Sequence, residues 1–209
     1  MGIFDCNVPG STGILRRSTV GIAGCGGLGS QAALSVVRAG IGRLILVDFD
    51  RVEEANLNRQ QYFLEDVGRL KTEALSARLR SVNPEVRITA RDLRLEPADV
   101  APIFAEADVL IEAFDRAESK RWLIEAWCRA FPDRPVVAAS GVSGLGKTET
   151  LRVRRSGMIV MCGDGESDSS EGLCAPRVAI AANMQANAAV EFLVRRSLEE
   201  SGDQHADRQ

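Results

Sequence analysis

Gly24, Gly26, Gly27 and Gly29 fall within the run Gly24-Cys25-Gly26-Gly27-Leu28-Gly29-Ser30, and Asp48 stands 19 residues after the last of them. Glycines at this spacing let the backbone turn tightly and approach phosphate oxygens that a Cβ would hold off. Amides at the start of a following helix face such an anion. The chemistry requires a strand before the loop and an acidic residue at the end of the next strand. Thr19-Val20-Gly21-Ile22-Ala23 reads as the first, a buried strand. Ile45-Leu46-Val47 reads as the second, and it brings Asp48 to its carboxyl end, where a carboxylate takes ribose hydroxyls. Asp50 either joins Asp48 there or caps the loop. These residues suit NAD and ATP equally.

The residues just downstream separate the two nucleotides. Asn56-Leu57-Asn58-Arg59-Gln60 and Gly68-Arg69-Leu70-Lys71 place an Arg and a Lys, both expected on polar and exposed ground, close behind Asp50. Hydride transfer needs neither cation. Attack at the α-phosphate of ATP needs both, because charge develops on the bridging oxygen and on pyrophosphate, and fixed cations stabilise it best in a dry cleft. Lys71 also opens a helix, where a cation opposes the helix dipole, a local cost that favours a functional lysine.

Together G-x-G-G-L-G-S, D-F-D, N-x-N-R-Q, G-x-x-K and the later Asp115 resemble the ubiquitin-activating-like adenylyltransferases, the family of MoeB, ThiF and HesA. The resemblance runs from about Val20 to Arg195. The short chain, with Gly163-Asp164-Gly165-Glu166 and Ala175-Pro176-Arg177-Val178 near its end, is most similar to the compact ThiF branch. It implies an ATP site at Gly24, Gly26, Gly27, Gly29, Asp48 and Asp50, with Asn56, Arg59 and Lys71 on the phosphates. Arg59, Lys71 and Asp115 would be the catalytic set, with Asp115 holding Mg²⁺. The implied reaction is adenylylation of the Gly-Gly carboxylate of a small β-grasp, ThiS-like sulfur carrier in thiamine biosynthesis, by a homodimer. A MoeB-like activator or a tRNA-modifying dehydratase of the same family is the nearest alternative. An NAD-dependent oxidoreductase and a noncatalytic nucleotide-binding scaffold are the others. Two departures bear on the last: Arg116 stands where the family often has Asn, and only Arg16 and Arg17, close before Thr19, could play the family's upstream Arg that reaches a partner's ATP.

Composition bounds the rest. At 209 residues and 45% hydrophobic content the chain can bury a sizeable core as one domain over 1–196, with a polar, disordered tail expected over 197–209. A net charge of −3 without a basic block argues against nucleic acid. Five cysteines with no C-x-x-C pair, no leader and no long apolar run indicate a reducing, cytoplasmic setting away from membranes. The one histidine, His205, lies in the tail, which excludes a His-based triad or zinc site in the core.

Helical spacing of Leu70, Ala74, Leu75, Leu79 and Val82 predicts a helix that ends at Asn83-Pro84. Strands at 86–90, 108–113 and 135–139 alternate with helices at 97–105 and 116–129, which gives a Rossmann-like, doubly wound and mainly parallel α/β sheet. Segments 150–154 and 158–161 read as an added antiparallel hairpin, and Pro176 opens a final alanine-rich helix through Arg196. Asp115 doubles as the expected N-cap of the helix after it.

Three patterns are expected not to carry the main chemistry. Gly141-Val142-Ser143-Gly144-Leu145-Gly146-Lys147-Thr148 matches a P-loop letter for letter, but the period-two run after it predicts a strand where a helix is required. It reads instead as a flexible loop bordering a groove for the substrate tail. Cys162 and Cys174 border an acidic loop at 164–171, expected as a solvated lid, and are open to a persulfide or thioester role, while Cys25 and Cys128 read as core or turn residues. No cysteine pairing suits zinc.

Overall fold

The computed structural model describes the backbone of residues 2–206 and the side chains of residues 2–199. Its strands are β1 (Thr19–Ala23), β2 (Arg43–Asp48), β3 (Arg87–Asp92), β4 (Val109–Glu112), β5 (Val136–Ala139), β6 (Arg152–Ser156) and β7 (Ile159–Gly163). They form one sheet in the order β3-β2-β1-β4-β5-β7-β6. The helices are α1 (Ser11–Arg17), α2 (Gly27–Ala39), α3 (Lys71–Val82), α4 (Val100–Ile103), α5 (Ala117–Ala130) and α6 (Ala175–Ala206).

Both faces of the central strands are apolar, so alternate residues enter two separate cores. Val20, Ile22, Leu44, Leu46, Val109 and Ile111 pack beneath α2, α3 and α6. Ile45, Val47 and Leu110 pack with Phe104, Leu123 and Trp127 from the α4 and α5 side. Burial on both faces suits a parallel sheet, and each fully buried Leu or Ile contributes about 1.5–3 kcal/mol.

Strand order places the site. The chain winds outward from β1 through β2 to β3, then returns to the other side of β1 for β4 and β5. Ala23 is in register with Val47 on one side and Glu112 on the other. Gly24, Asp48 and Ala113 therefore leave the sheet side by side, at the switch point where ligands of doubly wound folds bind.

Three details differ from the sequence expectation. In the terminal hairpin only β6 is antiparallel; β7 runs parallel to β5, because the long connection from β5 carries the chain past the edge and back. The last helix does not stop at Arg196 but continues to Ala206, so of the expected tail residues 207–209 lie wholly outside the described residues and 200–206 are described by their backbone alone. The residue capping α5 is Arg116, one after Asp115, and no side chain caps it. The alanine-rich helix lies on this chain's own framework, where Ala181, Ala182 and Ala189 are buried against the sheet and α2.

Candidate active site

A cleft of ≈ 690 Å³ opens over the carboxyl ends of β1, β2 and β4. The glycine loop forms its floor. Gly24 has φ +95°, and a Cβ there would lie 2.8 Å from the Ala113 carbonyl oxygen. A Cβ on Gly29 would lie 1.8 Å from the Gly24 carbonyl oxygen, so Gly29 shapes the loop from inside while Gly24, Gly26 and Gly27 line the cleft. No side chain caps the start of α2, which leaves its first amides to the cleft.

Asp48 holds this loop from β2. Its Oδ2 accepts the Cys25 amide at 2.6 Å and its Oδ1 accepts the Asp50 amide at 2.8 Å. Burial raises its pKa, and those two amides and the Lys71 charge oppose the rise. A carboxylate offers about four lone-pair sites, so capacity for a ribose hydroxyl remains.

Lys71 is buried at 6% exposure, contrary to the exposed position expected of it. The helix it opens starts under the rim of the cleft, so the side chain emerges from the core, and Nζ donates to Asp50 Oδ2 at 2.8 Å. Tyr62, the chain's one tyrosine, joins this region to the glycine loop: its hydroxyl bonds the Cys25 carbonyl at 2.7 Å and the Lys71 carbonyl at 3.3 Å. Arg59 lines the same cleft, its stem against Gly27 and its Nη1 bonded to Ala55 O and Asn58 Oδ1. Asn56 does not line the cleft. Its side chain accepts the Glu53 amide at 3.1 Å in a reciprocal cap of a short 3-10 turn, so it supports the Arg59 segment from outside.

Asp115 follows β4 at the opposite wall, exposed, with Arg116 exposed beside it. Below them Glu112 is fully buried, and burial raises its pKa against the pull of Lys120. No group of three or more His, Cys, Asp or Glu side chains among the described residues could hold a metal. A lone oxygen ligand such as Asp115 still fits Mg²⁺, which is usually held by one or two carboxylates plus substrate phosphates and water.

The P-loop-like segment ends the remaining wall. Lys147 has φ +48° and leads into a single 3-10 turn and then β6, so there is no helix to supply phosphate amides. The segment is tied to the acidic loop: Arg177 donates to the carbonyls of Gly146 and Lys147 and pairs with Asp164 at 2.5 Å. Burial pushes the Asp164 carboxyl up, but the Ser167 and Glu166 amides, the Ser167 hydroxyl and Arg177 outweigh it and hold the pKa at about 2. The acidic loop is therefore anchored at its root by a buried ion pair, which corrects the expectation of a wholly solvated lid. Cys162 faces the core, and burial pushes its thiol up to about 12; Cys25 is likewise buried and raised. Such thiols are poor nucleophiles.

A ThiF family model matches residues 9–206. The chain belongs to the ThiF family. Among its relatives, the SAMP-activating enzyme E1 of Haloferax volcanii is 35% identical over 150 residues, 71% of this chain and 55% of that protein. The sulfur carrier protein ThiS adenylyltransferase of Escherichia coli is 38% identical over 138 residues, 66% of this chain and 54% of that protein. The ThiF-family chain thus spans about half the length of the curated relatives it matches. Its fold is that of the Escherichia coli tRNA N6-threonylcarbamoyladenosine dehydratase solved in complex with AMP, with TM-score 0.82, 23% identity and coverage of 90% of both chains.

Sequence reasoning missed Tyr62, Glu112 and Lys120 in this ThiF-family site, and it gave Arg177 a place in a motif but not its partner Asp164. A lone tyrosine and a carboxylate ending an apolar strand were the available signals; the partners that give them meaning are distant in the chain.

Proposed function

We propose that this ThiF-family chain binds ATP with Mg²⁺ and adenylylates the C-terminal Gly-Gly carboxylate of a small, ubiquitin-like, ThiS-like sulfur carrier. What carries the reading is the convergence of Arg59 and Lys71 with the glycine loop and Asp48 in one cleft. Those cations have no use in hydride transfer. The names of the two curated relatives, an E1 and a ThiS adenylyltransferase, support the same class of reaction.

A carrier carboxylate is ionised near neutral pH, so no protein base is needed. One of its oxygens attacks the α-phosphorus in line, the bond from that phosphorus to the bridging oxygen breaks, and pyrophosphate leaves with the electron pair. Asp48 and Asp50 orient the ribose, and the loop amides, Arg59 and Lys71 stabilise the departing charge. Asp115 would hold Mg²⁺, which when bound neutralises phosphate charge. The proposed assembly is a homodimer, each chain with one domain over 1–196, in a reducing cytoplasm. Incubation with ATP and a ThiS-like carrier, read by intact mass, tests the proposal. A carrier mass increased by one adenylyl group is expected, and an unmodified carrier with a bound, unhydrolysed nucleotide would favour the scaffold alternative.

A further inference from the structure

We propose that Glu112 and Lys120 form a clamp that fixes the direction in which Asp115 enters the cleft. The inference rests on the ATP and Mg²⁺ reading above and assigns two positioning residues to it.

Phe114 lies between Glu112 at the end of β4 and Asp115 at the rim, and both of its backbone polar groups are held. Its amide donates to Glu112 Oε1 at 2.7 Å. Its carbonyl accepts from Lys120 Nζ at 3.4 Å. The two clamping side chains are joined to each other, since Lys120 Nζ pairs with Glu112 Oε2. Lys120 reaches back from the first turns of α5, so the pair spans the turn that carries Asp115 and Arg116.

Glu112 is itself fixed from the far side of the sheet. Gln185 of α6 is fully buried, and its Nε2 donates to the Glu112 carbonyl at 2.8 Å and the Val137 carbonyl at 3.1 Å. The Phe114 ring packs on Trp122 with centroids 5.7 Å apart, so the residue cannot swing sideways. Arg116 is held at its backbone, where its carbonyl accepts the Lys120 amide at 3.0 Å, so Lys120 ties down both residues flanking Asp115, Phe114 through its side chain and Arg116 through its amide.

An ion pair with one fully buried partner, as Glu112 is beside a Lys120 side chain 18% exposed, is a costly way to gain stability, because the carboxylate loses its water. Its cost is understandable when the pair fixes a geometry that an apolar contact would leave loose. Here the geometry concerns a lone carboxylate. A metal held by one protein ligand depends heavily on that ligand's aim, and groups that orient a ligand typically alter metal affinity by about 10- to 100-fold.

Two measurements on the whole chain test the clamp, with Lys120→Met, Lys120→Arg and the charge-neutral pair Glu112→Gln with Lys120→Met. The first needs no ligand: amide exchange at Phe114 by NMR should quicken about tenfold or more in Lys120→Met, with Val109–Ile111 still protected, and should recover in Lys120→Arg. The second is the Mg²⁺ concentration giving half of the ATP-induced thermal shift. It should rise about tenfold in Lys120→Met and in the double variant, by clearly more than any change in AMP affinity in metal-free buffer, with Lys120→Arg restoring the wild-type value. Unchanged Phe114 exchange, or an unchanged Mg²⁺ midpoint in a folded variant, overturns the proposal. So does equal loss of AMP and Mg²⁺-ATP binding, which marks a merely structural pair. A wild-type chain that shows no shift with Mg²⁺-ATP overturns the underlying reading, and that failure is visible before any variant is made.

Discussion

Lys71 and Asp50 form an ion pair of 2.8 Å at the rim of the cleft, with the ammonium side chain 7% exposed and the carboxylate 48% exposed. The cation is held in place from the core, while its partner is open to solvent and can be displaced by a phosphate. Charge fixed in this way needs no reorganisation when negative charge develops beside it.

Lys71→Ala and Arg59→Ala are each expected to slow adenylylation by about 10- to 1,000-fold. Removing Lys71 leaves Asp50 to water that already reaches it but empties the buried space the lysine stem fills, so the fold should be retained with a lowered melting temperature. Single-turnover kinetics beside a melting curve checks this. Full activity in a folded Lys71→Ala variant would contradict its role.

Lys147 gives the opposite expectation. Its φ of +48° is unfavourable for a side chain, and the contacts made there by Arg177 use only backbone carbonyls. Lys147→Gly should therefore be neutral or more stable by up to about 1 kcal/mol, with turnover retained. Loss of turnover would restore the P-loop interpretation.

The Asp164–Arg177 pair predicts a pH dependence. The folded pKa of Asp164, about 2, lies below its ordinary 3.8, so the group binds fewer protons in the folded state. Its stabilisation is complete above about pH 4 and is lost as pH falls toward about 2. Asp164→Asn should flatten the denaturation midpoint against pH in that window. A profile identical to wild type would show that the pair is not formed.

Thiol reactivity separates the cysteines. Cys6 is exposed, whereas Cys25 and Cys162 are buried, with the Cys162 thiol pushed up to about 12. Alkylation of the native chain near neutral pH should mark Cys6 and leave Cys25 and Cys162 unmodified. Rapid labelling of Cys162 would reopen a covalent role for it.

How much of this was legible beforehand follows from the range of the interactions. The glycine spacing, Asp48 and the alternation of apolar strands with amphipathic helices are local patterns, and they carried the Rossmann-like sheet and its switch point. The P-loop match fails on the period-two run at Leu151, Val153 and their arginine neighbours, which from Arg152 onward forms β6. Burial of Lys71 was not legible, because it depends on how α3 tucks beneath the rim. The turn that uses the Asn56 side chain was not legible for a similar reason, since no phosphate motif describes it. The Glu112–Lys120 and Asp164–Arg177 pairs join residues whose relation appears only after the helices dock.

ATP–pyrophosphate exchange, measured with and without a carrier ending in a free Gly-Gly carboxylate, tests the central claim most directly. The account predicts exchange that needs Mg²⁺ and the carrier together, vanishes when the carrier terminus is amidated, and persists in the Cys162→Ala, Cys174→Ser double variant. Exchange without any carrier would point to a small-molecule acid as the substrate, and no exchange under any condition, with thermal stabilisation by NAD in place of ATP, would contradict adenylyl transfer altogether.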